Sequence, residues 1–167
     1  MGDIEKKFAE ALKNAVIEGS NDSNFQKSIT LHTISETHQI MVAVDINSQK
    51  NEYRYIRIKS DATIALYNFD DYDLNGNKIT GIPIAADMGN FDIHQVTNLF
   101  DGDIRTNCTL NEPGWVGINF GIPTQVGKIS YMFRNSFNTV EKGHLYELMV
   151  WNNKWLSLGT QIARSAH

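Results

Sequence analysis

The chain has 167 residues, 41% of them hydrophobic and 20% charged, which fits one ordinary folded domain with its own core or at most two small ones. Its 15 Lys and Arg against 19 Asp and Glu leave a net charge of -4, and the basic residues are scattered among acids, so nucleic acid and an anionic membrane surface are not expected partners. The single cysteine, Cys108, excludes a disulfide within the chain and says little about compartment.

Residues 3–16 read as a short N-terminal helix, packed on the module's edge or serving as a linker. Asp3 can cap its first turn, and Ile4, Phe8, Leu12 and Ala15 fall on one apolar stripe. Met1-Gly2-Asp3 leads into charged residues rather than an apolar core, so no signal peptide is expected here. No stretch approaches the ~20 apolar residues of a membrane span, so no membrane insertion is expected either. The start reads as that of a segment of a larger parent protein.

From residue 17 the texture changes to short β-like runs between turn residues. Gly19-Ser20-Asn21-Asp22 is a turn cluster. Residues 40–46 form an apolar run fit for a buried strand. Residues 53–59 alternate, with Tyr53, Tyr55, Arg57 and Lys59 on one face and Arg54, Ile56 and Ile58 on the other. Residues 64–69 are β-prone. The acidic run Asp70-Asp71-Tyr72-Asp73 then reads as a solvated turn beside the hairpin-favouring pair Asn75-Gly76. Residues 81–97 mix Gly, Pro and polar residues and read as an internal connection. Further strands are expected over 115–120, 126–133, 145–151 and 155–158, the last two joined by a tight hairpin at Asn152-Asn153. Many short strands with little helix indicate an all-β sandwich or barrel.

Two stretches resemble the discoidin family, the coagulation-factor type C domains and related galactose-binding-like carbohydrate modules. The first runs from Ile17 through Gly19-Ser20-Asn21-Asp22 to Phe25, followed by Arg54-Tyr55-Ile56-Arg57. It is similar to strands from the later half of such a domain. The second, Leu99-Phe100-Asp101-Gly102-Asp103 with Thr106, then Gly114-Trp115-Val116-Gly117-Ile118-Asn119-Phe120-Gly121, resembles the family's opening. The run 128–135, with Asn138, Gly143 and 145–148, continues it and is similar to modules of secreted and surface glycan-handling proteins of Bacteroidetes-type bacteria. The resemblance implies a galactose-binding-like jelly-roll β-sandwich over residues 17–167, built from halves 17–84 and 98–162. The halves stand in reverse order, as in a permuted sandwich or in parts of two tandem modules.

The resemblance also implies a structural Ca2+ in the Asp101 loop, with Asp101, Asp103 and Thr106 as matching positions and Asn68 in place of the closing carboxylate. Calcium takes six to eight oxygens and needs a sharp bend such as Gly102 allows. The competing reading is an Asx-type turn whose side chains bond their own backbone.

Sugar binding needs an aromatic surface and a few directed polar groups. Arg134, Asn135, Asn138, His144 and Trp155 are the candidates, with His94 and Arg105 near the same rim; for Arg134 the alternative is a contact that fixes its loop. Trp115 and Trp151 read as core residues, and His32 and His38 as surface ones. Cys108 reads as a small buried hydrophobe rather than a nucleophile. No zinc spacing, phosphate loop or catalytic constellation stands out. The expectation is a non-catalytic module, not an enzyme. It would tether a larger extracellular, periplasmic or cell-surface protein to a glycan or glycoprotein. A structural spacer or a protein–protein interaction domain is the alternative.

Overall fold

Alternating apolar residues become strands, and the turn residues between them set the connections. The computed structural model describes residues 11–35, 42–46, 51–86, 92–103, 105–110, 113–134, 142–152 and 155–164. Its strands are β1 (Val16–Ser20), β2 (Ser28–Thr33), β3 (Val42–Asp45), β4 (Glu52–Ser60), β5 (Ile64–Tyr72), β6 (Lys78–Ile79), β7 (Ile82–Ala85), β8 (Cys108–Leu110), β9 (Gly114–Gln125), β10 (Lys128–Phe133), β11 (Leu145–Trp151) and β12 (Trp155–Ile162). One helical turn, α1 (His94–Thr97), precedes β8. The chain is all-β, and every strand pairing among the described residues is antiparallel. The expected N-terminal helix falls mostly outside the described residues; Leu12 and Ala15, from its apolar stripe, are buried.

The chain divides into two compact units, Met1–Arg134 and Asn135–His167. In the first, one sheet has the order β2-β1-β4-β9-β7 and another the order β3-β10-β5-β6, with β8 also on β5. In each of these sheets a strand from after residue 98 is inserted between strands from before it: β9 between β4 and β7, and β10 between β3 and β5. The two sheets share one hydrophobic cluster. Ile17, Ile56, Ile58, Val116 and Ile118 enter it from the first, and Ile64, Leu66, Phe69, Ile129, Tyr131 and Phe133 from the second. Each such side chain, fully removed from water, stabilises the fold by about 1.5–3 kcal/mol before conformational entropy is counted.

Three readings of the sequence need correction. Tyr53 does not share a face with Tyr55 and Arg57: a register shift between Tyr53 and Tyr55 against β9 turns it into the core beside Ile56 and Ile58. Asp70, Asp71 and Tyr72 are not a solvated turn but the end of β5, because β6 pairs back onto Asp71 and Tyr72. The turn itself is residues 73–77, closed by Asp73 accepting from the Asn75 and Asn77 backbone N–H, both at 2.8 Å, with Gly76 at a positive φ of 83°. The connection at 81–97 also contains β7, which extends the first sheet by pairing with β9.

The loop after β1 folds back onto its own sheet. Asp22 accepts from the backbone N–H groups of Asn24 and Gln26, each at 3.0 Å, and Phe25 takes a left-handed φ of 55°. A non-glycine residue tolerates that conformation only where its surroundings hold it. Here Phe25 is buried against Tyr55, Trp115 and Arg57.

The second unit is a hairpin of β11 and β12 with a register shift between Leu148 and Met149. Leu145, Leu148, Leu158 and Ile162 are each more than half exposed on it.

Candidate functional site

Asp101, Asp103 and Thr106 do come together. The Thr106 hydroxyl lies 2.8 Å from both Asp101 Oδ2 and the Asp103 carbonyl, which share its one proton, while the Asp103 N–H donates to Asp101 Oδ1 at 2.7 Å. Gly102 supplies the bend with a φ of 78°. Arg105 then grips the Asp103 carboxylate, Nε to Oδ1 at 2.8 Å and Nη2 to Oδ2 at 2.6 Å. The hydrogen bonds from Arg105, helped by its charge, pull the Asp103 carboxyl down to about 2. The loop thus closes on itself as an Asx-type turn with a guanidinium already on one of its two carboxylates.

Asn68 is buried on β5 and donates Nδ2 to Asp70 Oδ2 at 2.7 Å. The Asp101 loop meets β5 through the backbone, where the Phe69 N–H donates to the Leu99 carbonyl at 2.9 Å, and through the edge-on Phe69–Phe100 ring pair. Lys78 bridges the two: its Nζ lies 2.6 Å from Asp70 Oδ1 and donates to the Phe100 carbonyl at 3.4 Å.

Arg134 follows β10, at the end of its sheet. Its backbone N–H donates to the Ala65 carbonyl at 2.9 Å and its Nη1 to Thr109 Oγ1 at 2.8 Å, so the half-buried guanidinium is positioned from β8. His144 is exposed in the second unit. Asn135 and Asn138 lie outside the described residues, as does the side chain of Trp155. His94 opens α1 and is exposed, as is Arg105. Trp115 is half-buried under Phe25. Cys108 is fully buried, and burial pushes its thiol up to about 12, so it behaves as a small hydrophobe.

Two features went unread in the sequence. The first is a depression of about 380 Å3 at the β1–β2 end, walled by Ser20, Asn21, Asp22, Lys27, Ile29 and Tyr53. Its polar wall is held in place: Asn21 donates to the Glu52 carbonyl at 2.9 Å and accepts from the Arg54 N–H at 2.8 Å, and Ser20 Oγ donates to the Lys27 carbonyl at 2.9 Å. Ile29, half exposed, gives it an apolar side. The second is a cavity of about 60 Å3 beside Asp70 and Asp71. Burial pushes the Asp71 carboxyl up to about 8, with Asp70 raising it further and Lys78 opposing. Both features depend on strand register, which the residue pattern alone did not fix.

Among the described residues no three His, Cys, Asp or Glu side chains converge as a metal site, and no helix is long and apolar enough to cross a membrane. Comparisons with protein-family models, with curated proteins and with solved structures gave no match.

Proposed function

We propose that the chain is a non-catalytic carbohydrate-binding module of the galactose-binding-like, jelly-roll kind, working as part of a larger extracellular or cell-surface protein. The observation that carries this reading is the depression of about 380 Å3 at the β1–β2 end. Its size falls inside the ~300–1,000 Å3 range of small-molecule sites, and Ser20 and Asn21 on its wall are fixed by hydrogen bonds before any ligand arrives. Lys27 and Asn21 supply polar groups there, and Ile29 an apolar surface for a sugar face. Arg134, positioned by Thr109, offers a second fixed donor at the end of the other sheet. The cavity beside Asp71 is far below the size of a sugar, so the buried acid pair supports no hydrolytic site.

A glycan array, probed with the wild-type chain and with Lys27→Ala and Arg134→Ala, tests the reading. Binding to galactose- or hexosamine-type glycans that is lost in either variant supports it and says which rim holds the sugar. A blank array with a folded protein rejects it.

The structural calcium expected on the Asp101 loop belongs to the same proposal. An ion there would take oxygens of Asp101, Asp103 and Thr106 and would compete with Arg105 for Asp103. Removing calcium with EDTA is then expected to lower Tm. An unchanged Tm leaves the turn's own hydrogen bonds as its sole closure.

One observation favours the alternative, a spacer or protein-interaction domain. The β11–β12 hairpin carries Leu145, Leu148, Leu158 and Ile162 largely exposed, and a two-stranded hairpin is marginal in water by itself. A blank array, together with specific capture of other parts of the parent protein through this hairpin, would establish that reading.

A further inference from the structure

Asp71 is the least expected side chain in the molecule. It lies on β5 opposite Ile79 of β6 and Ile129 of β10, and directly opposed residues share a face. Ile129 is wholly buried in the core cluster, so Asp71 points to the core side of the sheet. It is 1% exposed, and neither of its carboxylate oxygens has a hydrogen-bond partner among the described residues.

Its charged neighbours are already matched. Asp70 Oδ1 is 2.6 Å from Lys78 Nζ, and Asp70 Oδ2 accepts from Asn68. Asp70 and Lys78 cancel, which leaves the cluster one negative charge in excess, on Asp71. A buried, unpaired carboxylate is strongly unfavourable, and the usual remedies are a proton, a cation or a set of donors. Among the described residues no donor reaches it, but there is space: Asp71 borders the cavity of about 60 Å3, which Thr80, Gly81, Phe100 and Ile118 also line. That is more than the ~10–15 Å3 a single water needs, so an ion with a water or two fits.

We propose that this cavity binds a small, hard monovalent cation, sodium in size, anchored by both oxygens of Asp71. One positive charge balances the cluster, whereas a divalent ion would leave it with an excess. Hard cations take carboxylate, carbonyl, hydroxyl and water oxygens. Thr80, one of the lining residues, is a hydroxyl-bearing candidate ligand, and water would supply further ones. A cation satisfies both orphaned oxygens at once; a proton on one of them would itself be a buried donor in need of an acceptor. The site uses none of Asp101, Asp103 and Thr106 and does not depend on the glycan reading.

The test compares Tm of the full chain in sodium chloride and in choline chloride, at equal ionic strength and fixed pH. Choline is too large for the cavity. Sodium is expected to raise Tm by a few degrees, as for any ligand bound by the folded state alone at concentrations well above its Kd. Asp71→Asn removes the excess charge and is expected to abolish the difference. Sodium-23 line broadening, present with the wild-type chain and absent with Asp71→Asn, reads the site without unfolding anything. Equal Tm values for the wild-type chain in the two salts overturn the proposal in favour of a proton on Asp71. So does a sodium effect that survives in Asp71→Asn, or a shift produced by calcium and not by sodium.

Discussion

Arg57 packs on the face of Phe25, its guanidinium carbon 4.0 Å from the ring centroid, while its Nη2 sits 2.6 Å from Glu18 Oε2. The turn loop, the middle of β4 and the middle of β1 are thereby fastened at one point, and the Trp115 ring of β9, which also packs on Phe25, has its centroid 5.4 Å from the same guanidinium carbon. Arg57 is only 9% exposed, so its charge depends on Glu18. Glu18→Gln is expected to destabilise the fold by about 2–3 kcal/mol, because it leaves a nearly buried cation with a weaker partner. Arg57→Lys is expected to cost about 1–2 kcal/mol, since an ammonium cannot both stack on Phe25 and fork onto a carboxylate. Urea unfolding of the two variants measures both. Losses below about 0.5 kcal/mol would place the pair among weak surface ion pairs.

Gly19 faces the Tyr53 ring with no room for a side chain. A Cβ on it would stand 2.6 Å from Tyr53 Cδ1. Gly19→Ala is therefore expected to cost about 1–3 kcal/mol, as overpacking in a filled core does. Replacing the ring as well, in Gly19→Ala/Tyr53→Leu, should cost less than the two single changes added together. Strict additivity in denaturant midpoints would show that the two residues do not press on each other.

How far the residues foretell this arrangement depends on whether their pattern is local. The alternation over Arg54–Ile58 is local, and it gave β4. The spacing Asp101, Asp103, Thr106 around Gly102 is local too: the Asp101 and Thr106 side chains meet, while Asp103 joins them through its backbone and turns its carboxylate to Arg105. The inward turn of Tyr53 is not local: it follows from a register shift against β9, far along the chain. Asp70 and Asp71 read as part of a solvated turn because they stand beside the turn pair Asn75-Gly76. The counter-signal was present, because counting outward from the 73–77 turn pairs Tyr72 with Lys78 and Asp71 with Ile79. That count makes the acids strand residues and brings in a lysine for Asp70. The resemblance implies Asn68 as the match to a closing carboxylate for the Asp101 loop; its amide is bonded to Asp70, a partner set by the course of β5.

Cys108 sits in the shared core, with burial holding its thiol up near 12. The thiolate is the reactive form, and at neutral pH almost none exists here. A thiol reagent such as DTNB is expected to leave the native chain unlabelled and to react fully once denaturant unfolds it. Rapid labelling under native conditions would show that β8 opens away from β5 without global unfolding.

Stability should carry the signature of Asp71. With no cation at it, its folded-state value of about 8 lies above the ordinary 3.8, so between those values the folded chain keeps a proton that the unfolded chain releases. Stability contributed by this group is therefore complete below about pH 4 and is lost as pH rises towards 8, with a slope approaching 1.4 kcal/mol per pH unit for one proton. The charged groups that set the shift are Asp70, which raises it, and Lys78, which lowers it. In choline chloride the difference in unfolding free energy between Asp71→Asn and the wild-type chain is expected to widen in favour of the variant from pH 5 to pH 8. Sodium should shrink that widening, because a cation at the carboxylate stabilises its ionised form. A difference independent of pH in both salts would mean that Asp71 is already ionised in the folded chain and satisfied by donors.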